Sequence, residues 1–200
     1  MKQRTALSLL LTVVALTACD PLTATVAGAG GAVGVGSSEE RGVEGAIDDT
    51  KIRTAINSLW IDKDFTLFRE VTLTVNEGRV LLTGSVEKPE TRIDAVRLAW
   101  QAAGVRQVID EIQVTDDAGI VSSLQDGWIQ NRLRTELLFD GQVKSINYTE
   151  DVENGIVYLM GIAQNQDELD RVIATARDIS GVKKVVNHVL LKTDQRRNSQ

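Results

Sequence analysis

Few side chains in this 200-residue chain could do chemistry, and their number and spacing decide which chemistry is open. The chain has one cysteine, Cys19, and one histidine, His188. A zinc site needs three or four converging donors, and nucleophilic catalysis by a Cys/His pair needs both groups close in the fold. With no second histidine and no spare thiol, neither can be assembled, and no disulfide can close within the chain. His188 alternates with Asn187 and Val189 in an extended segment, which predicts a surface strand residue and not a ligand or base. Carboxylates are plentiful, in the pairs Asp48-Asp49, Asp116-Asp117, Glu150-Asp151 and Asp167-Glu168. Paired carboxylates can hydrolyse glycosides, but such clefts are rich in aromatic residues, and these are only 4% of the chain. The pairs fall at predicted helix starts and loops, where negative charge suits a helix N-terminus. The reading is a protein without catalysis, metal or cofactor.

Cys19 has a different chemistry in view. Lys2 and Arg4 precede an apolar run from Ala6 to Leu16. Those residues make about 16 Å of helix, half of the ~30 Å hydrocarbon core of a bilayer. The run therefore reads as the core of a signal peptide over residues 1–18 and not as a membrane span. It closes on Leu16-Thr17-Ala18-Cys19. That sequence resembles the bacterial lipobox, which implies a diacylated thiol at the new N-terminus, such as palmitate chains would provide. Each buried methylene contributes ~0.8 kcal/mol, so two or three chains hold a protein durably. Asp20 follows directly, the residue that favours inner-membrane retention in the enteric sorting rule, so both envelope membranes stay open.

Composition narrows the partners. The formal charge is −6, and loss of Lys2 and Arg4 with the leader brings it near −8. This argues against nucleic acid and against general attraction to anionic surfaces. From Leu22 to Gly45 the chain is rich in Gly, Ala and Ser, too poor in side chain to build a core. A phosphate-binding G-x-G-x-x-G started at Gly28 would need glycine at Val33. No small-molecule phosphate loop is present there, and residues 19–47 read as a lipidated cysteine with its tether.

The elements behind these residues emerge from an internal repeat. A shift of 77 places Asp49 on Asp126, Ile52 on Ile129 and Ile56 on Leu133 without a gap. Gly78, Val80, Leu82 and Gly84 fall on Gly155, Val157, Leu159 and Gly161; Gly104 and Val108 fall on Gly181 and Val185. Two copies of one module follow, over 48–116 and 125–193, with a polar tail at 194–200. In each copy, helical spacing (Ile52, Ile56, Leu59; Ile129, Leu133, Leu137) precedes two alternating strands joined at Asn76-Glu77-Gly78 or Glu153-Asn154-Gly155. Gly84 and Gly161 are expected to end the hairpins. A second helix follows, with Val96, Ala99 and Ala103 or Leu169, Val172, Ile173 and Ala176 facing inward, then a last strand over Val105–Val114 or Val182–Leu191. The predicted class is α+β: two tandem modules of helix-strand-strand-helix-strand, each a three-stranded mixed sheet packed on two helices. About 68 residues is near the lower limit for an independent core, so the copies are expected to lean on each other.

The run Gly-x-Val-x-Leu-x-Gly, at 78–84 and 155–161, followed by Gly-Val-x-x-Val at 104–108 and 181–185, resembles the BON domain. Asn187 also fits that pattern, where the first copy has Asp110. The arrangement of lipobox, tether and two such modules is similar to dual-BON outer-membrane lipoproteins. The resemblance implies a module in the periplasm, associated with envelope integrity and phospholipid binding, and no enzyme.

If one copy has gained a function, the aligned differences should carry it. Lys51 in the first copy stands against Trp128 in the second, with Arg132 one turn on. An indole beside a guanidinium suits the headgroup layer of a membrane. Trp128 packed in a seam between the modules is the competing reading. Trp60, against Leu137, is read as core, and Trp100, against Arg177, as cover for a helix face. The candidate lipid-binding residues are Trp128, Arg132, Lys144, Lys183 and Lys184, facing anionic phospholipid. The alternative function is a protein-docking module for an envelope assembly machine or channel, with the lipid on Cys19 as its address.

Overall fold

A computed structural model describes residues 39–115 and 120–197. Cys19, the leader and most of the tether lie outside the described residues. The first module runs α1 (Gly42–Lys63), α2 (Phe65–Glu70), β1 (Val71–Asn76), β2 (Arg79–Val86), α3 (Pro89–Ala99), β3 (Gln107–Asp110) and β4 (Gln113–Val114). The second runs α4 (Ile120–Phe139), a 3-10 turn (Ser145–Asn147), β5 (Tyr148–Glu153), β6 (Ile156–Ala163), α5 (Gln166–Asp178), β7 (Lys184–Asn187) and β8 (Leu190–Leu191). A further 3-10 turn covers Gln195–Arg197. The chain is therefore α+β, with two tandem modules of one topology.

Within each module the hairpin strands pair antiparallel, from Val71↔Gly84 to Asn76↔Arg79 and from Tyr148↔Gly161 to Glu153↔Ile156. The last strand joins the other edge parallel. Parallel pairing needs a crossover, which α3 and α5 supply. Gly84 and Gly161 end the hairpin ladder as expected, but not the strand. β2 and β6 continue to Val86 and Ala163 and take β4 and β8 as partners. The strand expected over Val105–Val114 is broken after Asp110, whose carboxylate accepts the Ile112 N–H at 3.2 Å. Asn187 does the same for Val189 at 2.9 Å. The side chain replaces the lost ladder bond, and the break turns Ile112 and Val189 into their cores.

Alternation along the central strands sorts the two faces. Val80 and Leu82 meet Ile52, Ile56 and Trp60 of α1, and Val157 and Leu159 meet Ile129, Leu133 and Leu137 of α4. Trp60 is fully buried and its indole N–H donates to the Ala95 carbonyl, which meets the core expectation. Ala103, expected inside, is exposed; α3 ends at Ala99, and Ala102 takes the buried place.

The opposite sheet faces do not meet water. Leu81, Tyr158 and Met160 form a third buried cluster, with Ile109, Ile156 and Val186 packed on it. The sheets thus pack face to face with helices outside. Leu81 and Tyr158 are 77 residues apart, and so are Glu111 and His188, which pair across the seam at 2.9 Å. Equivalent residues meet each other, as they do across a two-fold interface. His188 is accordingly half-buried and partnered, not a free surface residue.

Both ends of the expected modules are longer than the repeat. Helix α1 begins at Gly42, inside the segment read as tether. Glu40 reaches Lys144 and Lys192 at 3.0 Å each, and these two ammonium groups hold its carboxyl down at about 2. Arg197, in the expected polar tail, pairs with Glu77 and donates to the Glu40 carbonyl. The two ends thereby clasp both modules.

Candidate functional site

The carboxylates are accounted for first. Asp49 lies inside α1, not at its start, and is buried. It accepts the N–H groups of Glu77 and Gly78 at 2.9 Å, at the hairpin tip. Asp126 accepts those of Asn154 and Gly155 at 2.7 Å. Both tips are left-handed at two successive residues, which aims their N–H groups at the helix. Glu168 sits in the first turn of α5 and accepts the Tyr148 hydroxyl and the Lys144 N–H. These acids are structural. Among the described residues, no group of three or more His, Cys, Asp or Glu gathers to hold a metal ion.

Burial on α4 defines the exposed candidates. Successive residues turn about 100°, so Leu124, Trp128, Leu138 and Phe139 share one sector of the helix, opposite Ile129, Leu133 and Leu137. All four are exposed, Leu124 at 73%, Trp128 at 53%, Leu138 at 65% and Phe139 at 81%. The sector is about 16 Å long from Trp128 to Phe139, and the polar Asn131 and Thr135 are exposed within it. Trp128 therefore does not lie in the seam between the modules. The outer face of α1 carries Lys51 and Asp62 where α4 has Trp128 and Phe139. Lys51 is paired with Asp48. Ile47 and Ile61, the counterparts of Leu124 and Leu138, are also exposed, so the two aromatic rings are what the second module's helix face adds.

Arg132 borders the sector and is bound to Glu136 one turn on. An exposed pair of this kind is worth ~0.3–0.5 kcal/mol, so the guanidinium can exchange partners at little cost. Lys183 lies at the same end of the module as Trp128, its ammonium donating to the Asn154 carbonyl at 2.9 Å. Lys184 is its exposed neighbour on β7. Lys144 is elsewhere, beyond the far end of α4 and held by Glu40. The expected set thus divides, with Lys144 serving the clasp. Leu124, Leu138 and Phe139 carry no sequence signal of their own, because helical spacing marks the inner face and Leu124 precedes the repeat boundary. Ile146 is also exposed and lines a groove of about 410 Å³ with Arg134, Leu137, Leu138 and Tyr148. Among the described residues, no helix is long and apolar enough to cross a membrane.

The chain is similar to several known proteins. It is 40% identical over 147 residues to an uncharacterized protein in the gshII 5′ region of Anaplasma centrale, spanning 73% of this chain and 96% of that one. It is 29% identical over 165 residues to the outer membrane lipoprotein DolP of Haemophilus influenzae, with 82% and 84% covered. It is 26% identical over 148 residues to the osmotically-inducible protein Y of Escherichia coli, with 73% and 74% covered. The model of the BON domain matches residues 48–116 and 125–193, the two modules that pack sheet to sheet. The chain belongs to the BON-domain family and carries two copies of its domain.

Proposed function

We propose that this protein is a membrane-anchored envelope protein, held by acyl chains on Cys19, whose second BON domain rests on anionic phospholipid through the outer face of α4. The observation that carries the reading is the exposed sector of Leu124, Trp128, Leu138 and Phe139, opposite the core of the same helix. Apolar side chains with an indole among them partition into the headgroup layer. Arg132, Lys183 and Lys184 supply phosphate contacts of roughly 1 kcal/mol each near an anionic surface. Net repulsion from a chain near −8 makes the contact local. The similarity to an outer membrane lipoprotein supports placement in the envelope, facing the periplasm, and favours the outer membrane over the inner.

The test is co-sedimentation of acyl-free protein, residues 20–200, with vesicles containing phosphatidylglycerol. Trp128→Glu should abolish binding and leave thermal unfolding nearly unchanged, because the indole is half in solvent. Lys51→Glu should do much less. Undiminished binding by Trp128→Glu would remove this face from the account.

A second reading, docking of an envelope protein partner, draws on the groove beside Leu138 and Ile146. A partner there would leave vesicle binding by Trp128 intact.

A further inference from the structure

Position 79 breaks the repeat in a way that packing does not require. Its counterpart 77 residues on is Ile156, which packs on the apolar cluster of the seam. The first module has Arg79 instead, only 8% exposed. Its Nε donates to Gln107 Oε1 at 3.0 Å and one Nη2 hydrogen to the His188 carbonyl at 3.0 Å. The buried Nη1 has no partner. A guanidinium carries five N–H donors, so three of them are unspent, two of these on Nη1.

No carboxylate among the described residues forms an ion pair with Arg79. The acids whose charge favours the Arg79 cation are Glu77 and Asp194. Each is engaged by another arginine, Glu77 by Arg197 and Asp194 by Arg196. Burial and the neighbouring Arg196 and Arg106 all work against the charge on Arg79. A buried cation left this way is destabilising unless a counter-ion reaches it.

Beside it lies a cavity of about 440 Å³, between the β3 edge of one module and the β7 edge of the other. Arg79, Arg196, His188, Gln107 and Asn187 supply its polar lining, and no carboxylate lines it. In a chain with 28 acidic residues against 22 basic, that selection is pronounced.

We propose that this cavity binds a phosphate-class oxyanion, with the unspent N–H donors of Arg79 as its principal ligand and the Gln107 and Asn187 amides as neutral donors. A guanidinium fork matches the spacing of two phosphate oxygens. The volume admits a phosphate ester as well as free phosphate. The site is built from both modules, on the seam rather than on the outer face of α4, and it stands independently of the Trp128 reading.

The experiment uses the full chain in a non-ionic detergent, titrated with inorganic phosphate at constant ionic strength and followed by thermal unfolding. The expected result is a saturable rise in the midpoint. Arg79→Met should weaken phosphate binding by about tenfold or more, while its midpoint without phosphate is equal or higher, since the unpaired charge is gone. In the unmutated protein, phosphate should perturb the NMR signals of Gln107, Asn187 and His188. No saturable shift, an undiminished shift in Arg79→Met, or perturbations confined to other residues would overturn the site. Vesicles of phosphatidylglycerol distinguish the sources. If Arg79→Met also loses vesicle binding, the oxyanion is a lipid headgroup; if it keeps vesicle binding and loses only the phosphate response, the ligand is a free phosphate.

Discussion

Gly84 and Gly161 sit where the helix-proximal segment passes over the central strand. A Cβ on Gly84 would lie 2.2 Å from the Glu70 carbonyl oxygen, and one on Gly161 2.0 Å from that of Asn147. Both residues also have positive φ, 111° and 139°. The glycine that closes Gly-x-Val-x-Leu-x-Gly is thus required by the backbone above it, not by the turn. Gly161→Ala combines a backbone clash with a strained conformation and should cost about 4 kcal/mol. Denaturant unfolding of the variant measures this directly, and a loss below about 1 kcal/mol would contradict the close approach. Asp126 and Asn187 show the same economy, each spending a side-chain oxygen on backbone N–H groups that regular structure leaves unpaired.

At the scale of the element, α4 has two faces that answer to different demands. Ile129, Leu133 and Leu137 are buried and hold the module. Leu124, Trp128, Leu138 and Phe139 contribute nothing to that core. Truncation on the outer face should therefore separate stability from binding. Leu124→Ser should leave the unfolding midpoint within error of the parent. It should lower vesicle partitioning by about tenfold, the equivalent of roughly 1.5 kcal/mol for one leucine side chain moved out of water. An equal loss of stability would mean that Leu124 packs on the protein.

The seam is a property of the whole molecule, and it contains acids as well as apolar side chains. Asp151 accepts the Thr83 hydroxyl and Glu153 that of Ser85, joining β5 to β2 across the modules. Burial raises both carboxyls above their ordinary values. An acid harder to ionise in the folded state adds stability while protonated. That stability is present below its unfolded value of about 4 and is lost as pH rises through its native value. Asparagine resembles the protonated acid and still accepts from Thr83. Asp151→Asn should accordingly unfold at a higher temperature than the parent at neutral pH and lose less stability as pH rises from about 4. Thermal unfolding across that range checks it; a lower midpoint at neutral pH would show that the charge on Asp151 stabilises the seam. Glu40 has the opposite sign. Its carboxyl is held at about 2 by Lys144 and Lys192, so the clasp is intact above its unfolded value and weakens only as pH falls toward 2.

The 77-residue register, the order of elements and the inner faces of the helices were legible in the sequence, because each rests on local spacing that repeats. So was the asymmetry at Trp128, since a difference between two aligned copies needs no coordinates. What the sequence could not determine was anything that depends on which residues meet from far apart. Alternation makes one face of β2 and β6 apolar toward the helices, but it does not say that Leu81, Tyr158 and Met160 on the other face close on each other. Lys144 read as one more cation until the fold brought Glu40 to it. Arg79 read as one charge among 22. Only the packing of two sheets put it beneath the His188 carbonyl, with an unpaired nitrogen and a cavity free of carboxylates at its side. A lone charge acquires its meaning from the burial and the partners that tertiary contact imposes, and local sequence carries neither.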